Sequence, residues 1–171
     1  MSLAPVLARI DADLENATQR LLEFLRIPSI STDPAFDTAC ETAADWLVDQ
    51  LRAMGAEAQK HQTPGKPMVM GSFTGYAQSD APHILFYGHY DVQPADPLDL
   101  WYHDPFEPAV EQTAQGRVIR GRGSSDDKGQ LMTFVEACRA WKNEHGQVPC
   151  KISLFFEGEE ESRSPSLVPF M

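Results

Sequence analysis

Apolar and polar positions alternate at the spacing of amphipathic helices in the first third of the chain. Apolar residues at this spacing predict a helix over residues 5–26, which Pro28 closes. The same pattern predicts a second helix over residues 36–54, and Gly55 directly after it is typical of a helix C-terminus. The chain therefore opens with two helices joined by a loop that contains Ser and Pro.

Extended segments follow the two helices. Residues 56–62 and 68–73 are bounded by turn residues and predict two short strands. Residues 83–88 form an apolar run that is typical of a central strand buried on both faces. Residues 152–156 have the same character and predict another buried strand.

The segment between the two apolar strands divides into a loop and a helix. Residues 94–116 are rich in proline and have no period, which predicts a long surface loop. A helix is expected from about residue 127 to residue 143. Strand, helix and strand in this order predict a right-handed parallel unit and an α/β layered fold. The apolar residues 166–171 are typical of the start of a further buried element.

Composition and charge narrow the possible classes of function. Of the 171 residues, 42% are hydrophobic and 23% are charged, as in folded globular domains. The net charge of −11 argues against nucleic acid and anionic membranes as partners, because both need a basic protein surface. No apolar stretch approaches the ~20 residues that span a membrane, and the N-terminus lacks a signal-peptide pattern. We therefore expect a cytoplasmic protein.

The cysteines carry no recognisable chemistry. Their number is odd, they are widely spaced and none forms a CxxC pair. We expect each to be a small apolar core residue, namely Cys40, Cys138 and Cys150.

Three segments rich in His, Asp or Glu lie where strands of the sheet are expected to end. They are residues 88–91, 124–129 and 157–161. Ligands of open α/β sheets bind outside the carboxyl ends of the strands, so these segments are expected to converge. Carboxylates together with imidazole suit Zn²⁺ or a similar divalent ion in a hydrolytic site.

Spacing assigns possible roles within these segments. In an extended chain His89 and Asp91 point to the same side, so the carboxylate is placed to accept the imidazole N–H and orient the ring. Glu160 and Glu161 would point different ways in extended geometry, one towards a metal and the other towards an attacking water. Asp126 lies at the start of a helix, where its two oxygens suit a bridge between two ions.

Each segment alone also has a simpler interpretation. A single His after a strand is usually structural, and residues 157–161 resemble a solvated acidic loop. Asp126 and Asp127 suit an N-cap and a first-turn acid. A metal-free aspartic hydrolase using these two residues is disfavoured, because adjacent carboxylates at a helix start seldom face one another. The coincidence of three such segments favours a common site.

Four segments in their order along the chain resemble the M20 metallopeptidases, most of all the dipeptidase branch that includes the carnosinase-like enzymes. The start of the chain, with Ile-Pro-Ser-Ile-Ser at residues 27–31, is also similar to that family. The four segments are Gly-His-Tyr-Asp-Val-Gln-Pro (88–94), Asp-Pro-Phe (104–106), Gly-Arg-Gly-Ser-Ser-Asp-Asp-Lys-Gly (121–129) and Glu-Gly-Glu-Glu-Glu (157–161).

The resemblance implies a set of residue roles. His89 would bind one metal ion, and the catalytic residue Asp91 would steady its ring. Asp126 would bridge two divalent ions with its carboxylate, and its peptide bond to the next residue would be cis. The ions would most simply be Zn²⁺, with Mn²⁺ or Co²⁺ as alternatives. Glu160 would be the general base and Glu161 a ligand of the second ion.

The resemblance also implies a fold, a reaction and an assembly. The expected fold is a three-layer αβα catalytic domain, here incomplete, with residues 1–171 as its N-terminal portion and without the C-terminal portion and dimerisation domain. The implied reaction is hydrolysis of dipeptides or small peptide-like amides, carried out by a longer, homodimeric form. The alternative is a catalytically inactive fragment, or a non-enzymatic module stabilised by a partner.

Two departures from the family pattern motivate that alternative. Arg163 stands where the family usually has Gly after the Glu pair. Residues 162–171 contain none of the further Asp, Glu or His ligands that the family supplies downstream. With a bridging Asp126, each ion would have two protein ligands, whereas catalytic zinc usually has three.

Overall fold

The computed structural model describes residues 1–74 and 80–171, which form four α-helices and six strands. The predicted long helices are confirmed to within about two residues at each end. The helices are α1 (Ala4–Leu25), α2 (Asp37–Ala53), α3 (Lys128–His145) and α4 (Leu167–Phe170). The strands are β1 (Glu57–His61), β2 (Met68–Phe73), β3 (His83–His89), β4 (Ala109–Thr113), β5 (Gly116–Arg120) and β6 (Lys151–Glu157).

Four of the strands form one sheet in the order β1-β2-β6-β3. β3 and β6 are parallel and stay in register from His83 opposite Lys151 to His89 opposite Glu157. The other two pairings, β1 with β2 and β2 with β6, are antiparallel. The parallel strand–helix–strand unit expected from the sequence is confirmed, with β3 and β6 as its strands and α3 between them along the chain.

The long helices cover one face of the sheet. A cross-strand row on this face runs from Gly71 through Leu154 to Phe86. A Cβ on Gly71 would approach Leu51 of α2 to 2.9 Å, and the ring of Phe86 stacks on Phe134 of α3 at 4.0 Å between centroids. α1 in turn packs on α3. The hydrophobic core therefore lies between the sheet and this helical layer.

The opposite face of the sheet is largely open in the described part of the chain. The neighbouring row runs from Met70 through Phe155 to Tyr87, and α4 lies over its middle, with Phe170 at 5.9 Å from the Phe155 ring. The expectation that β3 is buried on both faces is therefore wrong, since Leu85 is 65% exposed. The physical reason is that Leu85 lies on the face with little cover among the described residues, and β3 is also the last strand in the sheet order.

Two further expectations are corrected. Residues 109–116 are not loop: β4 and β5 form an antiparallel hairpin that turns between Thr113 and Gly116, where Gly116 has a φ of +107°. The alternation of apolar and polar residues in these strands is short and was obscured by the prolines before it. Residues 166–171 do not begin a buried element, because Val168 and Met171 are strongly exposed on and after α4.

Other expectations from composition agree with the structure. All three cysteines are buried and unpaired, as expected for core residues. Burial raises the pKa of Cys138 to about 12, which leaves its thiol protonated and unreactive. Among the described residues, no helix has the length and apolar character needed to cross a membrane.

Candidate metal centre

The predicted site residues meet at the carboxyl ends of the two parallel strands. β3 ends at His89 and β6 ends at Glu157, and these two residues are paired in the register. The segment before α3 brings Asp126 to the same edge of the sheet, within 3.1 Å of the His89 ring. This is the position at which parallel strands and their crossover helix leave a crevice for a ligand.

His89 lies at the centre of the cluster and is buried. Its Nε2 atom is 3.1 Å from Oδ1 of Asp126 and 3.8 Å from Oε2 of Glu160. Its Nδ1 atom is 3.3 Å from Oδ1 of Asp91 and 3.2 Å from the Asp91 carbonyl oxygen. Both ring nitrogens therefore face oxygen acceptors, which is an arrangement that favours the imidazolium form.

The electrostatics of His89 follow from this geometry. Burial alone would lower the pKa of the imidazole, because it disfavours the charged form. The hydrogen bond to Asp91 and the charges of Asp91, Asp127 and Glu160 outweigh burial and raise the pKa from 6.5 to about 9. The surrounding carboxylates thus create a strong preference for positive charge at this point, whether it is supplied by a proton or by a metal ion.

Asp91 connects the histidine to the glutamate pair. Its side chain is completely buried, and its Oδ1 lies near the His89 ring as the period-2 spacing predicted. The structure adds contacts that the sequence did not reveal: the N–H of Glu160 donates to Oδ1 at 3.2 Å and the N–H of Glu161 donates to Oδ2 at 3.0 Å. One carboxylate therefore fixes both the imidazole and the backbone that carries the glutamates.

The two aspartates before α3 have different surroundings. The Asp126–Asp127 peptide bond is cis, as the resemblance implied. Asp126 is largely exposed and faces the His89 ring, whereas Asp127 accepts the backbone N–H of His89 at 3.1 Å. Asp127 occupies the N-cap position of α3, but its side chain makes no capping bond there. Its burial raises the pKa of its carboxyl group.

The glutamate pair does not lie on an extended segment, and that expectation is wrong. Glu160–Ser162 is a turn of 3-10 helix that follows β6. The carboxylate of Glu160 points towards His89, and partial burial raises the pKa of Glu160 despite the opposing charge of the histidine. The carboxylate of Glu161 instead accepts a hydrogen bond from the side-chain amide of Gln93 at 2.9 Å.

The acidic segment 157–161 is more than a solvated loop. Glu157 is fully buried and accepts a hydrogen bond from the Tyr87 hydroxyl. Glu159 is also buried, and its Oε2 accepts the backbone N–H of Ser166 at 3.1 Å. These contacts fix the backbone of the first part of the segment. The more exposed carboxylates of the turn that follows are therefore attached to an anchored backbone.

The donor types fit a divalent metal ion. An imidazole nitrogen and a carboxylate oxygen face each other across 3.1 Å, and both are usual ligands of zinc. Residues 1–74 and 80–171 contain no group of three or more His, Cys, Asp and Glu side chains that already surrounds one point. Among the described residues, Glu161 is held by Gln93 and forms no hydrogen bond or ion pair with His89 or Asp126.

Lys128, for which the sequence predicted no role, is completely buried. Its amino group donates to the carbonyl of Phe24, in the last turn of α1, at 3.0 Å and to that of Ile27, just after the helix, at 2.6 Å. The same nitrogen lies 4.7 Å from the centre of the Phe24 ring, and burial lowers the pKa of Lys128 to about 7. Lys128 thereby joins the end of the first helix to the start of α3, directly after the aspartate pair. The position of Lys128 within the Asp-Asp-Lys-Gly segment, beside the predicted site residues, was the sequence feature that could have indicated a structural role.

The departure at Arg163 has a clear backbone consequence. Arg163 follows the glutamate turn with a φ of +73°, in the left-handed region that favours glycine. The structure therefore explains why the family pattern has Gly at this position. The arginine adopts the glycine conformation at a steric cost.

Comparison with known proteins agrees with this geometry. The sequence profile of peptidase family M20/M25/M40 matches residues 85–169, which include every predicted site residue. The Cys-Gly metallodipeptidase dug1 of Schizosaccharomyces pombe is 33% identical over 177 residues, covering 98% of this chain and 36% of that protein.

Two solved structures have the same fold. The dipeptidase Dug1p from Saccharomyces cerevisiae superposes with a TM-score of 0.87 at 30% identity, over 99% of this chain and 37% of that one. Human carnosine dipeptidase 1 gives a TM-score of 0.87 at 27% identity, also over 99% and 37%. The α/β fold is thereby confirmed, and the chain spans little more than a third of the length of these relatives.

Proposed function

Because the chain belongs to peptidase family M20, in the branch of the Cys-Gly and carnosine dipeptidases, we propose that it carries part of a dipeptidase metal centre. The observation that carries this proposal is the pairing of His89 Nε2 with Asp126 Oδ1 at 3.1 Å, beside the carboxylate of Glu160. The reaction is hydrolysis of a peptide bond by a metal-dependent route.

The proposed cofactor is a pair of divalent ions, most simply Zn²⁺, with Mn²⁺ or Co²⁺ as alternatives. His89 would hold one ion, Glu161 the other, and Asp126 would bridge them. When bound, such ions lower the pKa of a coordinated water and polarise the substrate carbonyl. The cluster of carboxylates that raises the pKa of His89 to about 9 supports this assignment, because it favours positive charge at the same point.

The chain's own residues divide the remaining work. Asp91 holds Nδ1 of His89, so that Nε2 faces the crevice. Glu160 is the proposed general base: its Oε2 would take the proton of the attacking water and return it to the departing amine. Partial burial raises the pKa of this carboxyl group, which makes it a stronger proton acceptor than an ordinary glutamate.

The proposed substrates are dipeptides or small peptide-like amides. Support comes from the names of the relatives, a Cys-Gly metallodipeptidase and a carnosine dipeptidase, and from the carboxylate-lined crevice. We propose further that residues 1–171 are the N-terminal portion of the catalytic domain and that the active form is a cytoplasmic homodimer.

The test is dipeptide hydrolysis by the natural polypeptide purified from its source. Cys-Gly and β-Ala-His are incubated with the protein before and after chelation, and then after Zn²⁺ or Mn²⁺ is restored. Hydrolysis is expected to stop with the chelator and to return with the metal. Glu160→Gln should lower the rate by about 10³-fold, within the range of general-base catalysis. The matched control Glu23→Gln, on the exposed side of α1, should keep full activity.

The same assay distinguishes the alternative, a non-enzymatic module. It is favoured by one observation, namely that the described residues hold no ready-made group of three ligands. Metal binding without turnover would support the module, whereas hydrolysis that continues in the chelator would contradict the metal-dependent proposal outright.

A further inference from the structure

We propose that Gln93 is a positioning residue that orients the carboxylate of Glu161 towards a metal ion. This inference rests on the proposed function, since it concerns a ligand of the proposed metal centre. It begins from a pair of contacts: Nε2 of Gln93 is 2.9 Å from Oε2 of Glu161 and 3.2 Å from the Glu161 carbonyl oxygen. A single amide group therefore contacts both the side chain and the backbone of one residue.

Gln93 is the third member of an alternating row. His89, Asp91 and Gln93 occupy every second position, which places them on one side of an extended segment. Asp91 accepts hydrogen bonds from the backbone N–H groups of Glu160 and Glu161. Gln93 donates to the carbonyl and to the carboxylate of Glu161 in the same turn. The row therefore binds the N–H groups of the turn through Asp91 and its oxygen acceptors through Gln93.

The backbone that carries Gln93 is itself anchored. The N–H of Val92 donates to the carbonyl of Ser29 at 3.0 Å, and Val92 forms a parallel bridge with Ile30. The side chain of Val92 is completely buried, while Gln93 beside it is exposed. The side-chain amide of Gln93 therefore reaches Glu161 from an anchored backbone.

The chemistry of the amide suits this role. A lysine or arginine at this place would form an ion pair with Glu161 and compete with a metal ion for its charge. The neutral amide donates a hydrogen bond and leaves the carboxylate charge available. Because the bond engages Oε2, the two oxygens of Glu161 are no longer equivalent, and the orientation of the group is set before a metal ion arrives.

The experiment measures Zn²⁺ affinity of this chain by calorimetric titration at neutral pH. Gln93→Met keeps the length of the side chain and removes the donor, and it should weaken Zn²⁺ binding by about 10-fold or more, as losing a partner of a metal ligand does. The matched control is Gln115→Met, in the exposed turn between β4 and β5, which should bind Zn²⁺ like the unmodified chain.

A second pair of variants separates positioning from a general effect on folding. In the Glu161→Gln background, Gln93→Met should cause little further loss of Zn²⁺ affinity, because the two changes remove the same interaction. An equal loss in both backgrounds would show that Gln93 acts through the fold and would overturn the inference.

The remaining outcomes are distinct. If the unmodified chain binds Zn²⁺ and Gln93→Met binds it equally well, the inference on Gln93 fails and the proposed function stands. If the unmodified chain binds no Zn²⁺, the proposed metal centre fails, and the role of Gln93 fails with it.

Discussion

The two faces of the sheet differ although they are built from the same strands. On one face Gly71, Leu154 and Phe86 lie against α2 and α3, and the core is closed. On the other face, Met70 and Tyr87 are exposed in the described part of the chain, and the four-residue α4 lies over Phe155 between them. Apolar residues along a strand therefore do not show by themselves that both faces are buried. Among the described residues, helices cover one face of the sheet and leave most of the other exposed.

The candidate metal centre lies at the carboxyl end of β3, where the strand is no longer exposed. Before its last two residues β3 is exposed except at Phe86, and the strand becomes buried at Gly88 and His89. At this end the contacts are polar and specific, with Asp91, Asp127 and the glutamate turn joined to β3. The site is thus well ordered by hydrogen bonds even though it borders an open face.

The same substitution on the two faces gives the largest expected contrast. Leu154→Ala removes a side chain that is 1% exposed in the central strand β6 and should lower the free energy of unfolding by about 3 kcal/mol. Leu85→Ala, on the open face, should lower it by less than about 1 kcal/mol. Urea unfolding measures both. Equal losses would contradict the comparison and would mean that the open face is covered in solution.

The covered side also holds the buried amino group of Lys128, whose pKa burial lowers to about 7, and removal of this group should have the next largest effect. Lys128→Met leaves the carbonyls of Phe24 and Ile27 without the Nζ donor and should cost about 2 kcal/mol in the free energy of unfolding. The control is Lys142→Met, in the last turn of α3, which should change stability by less than about 0.5 kcal/mol. A neutral result for Lys128→Met would mean that these contacts contribute nothing net to stability.

The border between the faces should respond to pH through His89. Its pKa in the folded chain is about 9, above the ordinary 6.5, so folding favours the protonated ring. The resulting stabilisation is fully present below pH 6.5 and is lost as the pH rises through 9.

The measurement compares the chain with its His89→Gln variant in the presence of chelator, at pH 6 and pH 9.5. The excess stability of the unmodified chain should shrink by the order of 1 kcal/mol between these values. An excess that stays constant or grows with pH would contradict the assigned direction of the pKa shift.

The smallest expected effect is a gain. Arg163→Gly removes the steric cost of a φ of +73° after the glutamate turn and should raise the free energy of unfolding by about 1 kcal/mol. Arg26, the C-cap residue that follows α1 with a φ of −68°, is a matched control, and Arg26→Gly should be destabilising. Thermal unfolding of both variants would show whether opposite signs are obtained.

Sequence periodicity was sufficient for the long elements. The first two helices have enough turns to display their apolar stripe, so their bounds were predicted to within about two residues. The hairpin of β4 and β5 was missed because each strand has only five residues and follows a proline-rich segment. The exposure of β3 was missed because apolar composition does not reveal whether neighbouring segments cover a strand.

The residues that form the site could be predicted from the sequence, but the hydrogen bonds that join them could not. Strand ends and residue chemistry indicated that His89, Asp91, Asp126 and Glu160 would meet, and the structure brings them together. The turn conformation of the glutamate pair depends on backbone hydrogen bonds to Asp91, which no local pattern specifies. The roles of these residues in binding and catalysis stay predictions.

The most direct test of the metal centre is an anomalous difference map at the zinc edge, from crystals of this chain grown with saturating Zn²⁺. If His89 and Asp126 bind zinc, a peak is expected at about 2.0 Å from Nε2 of His89 and at a similar distance from a carboxylate oxygen of Asp126. Zinc bound only elsewhere on the chain, with no peak beside His89, would contradict it.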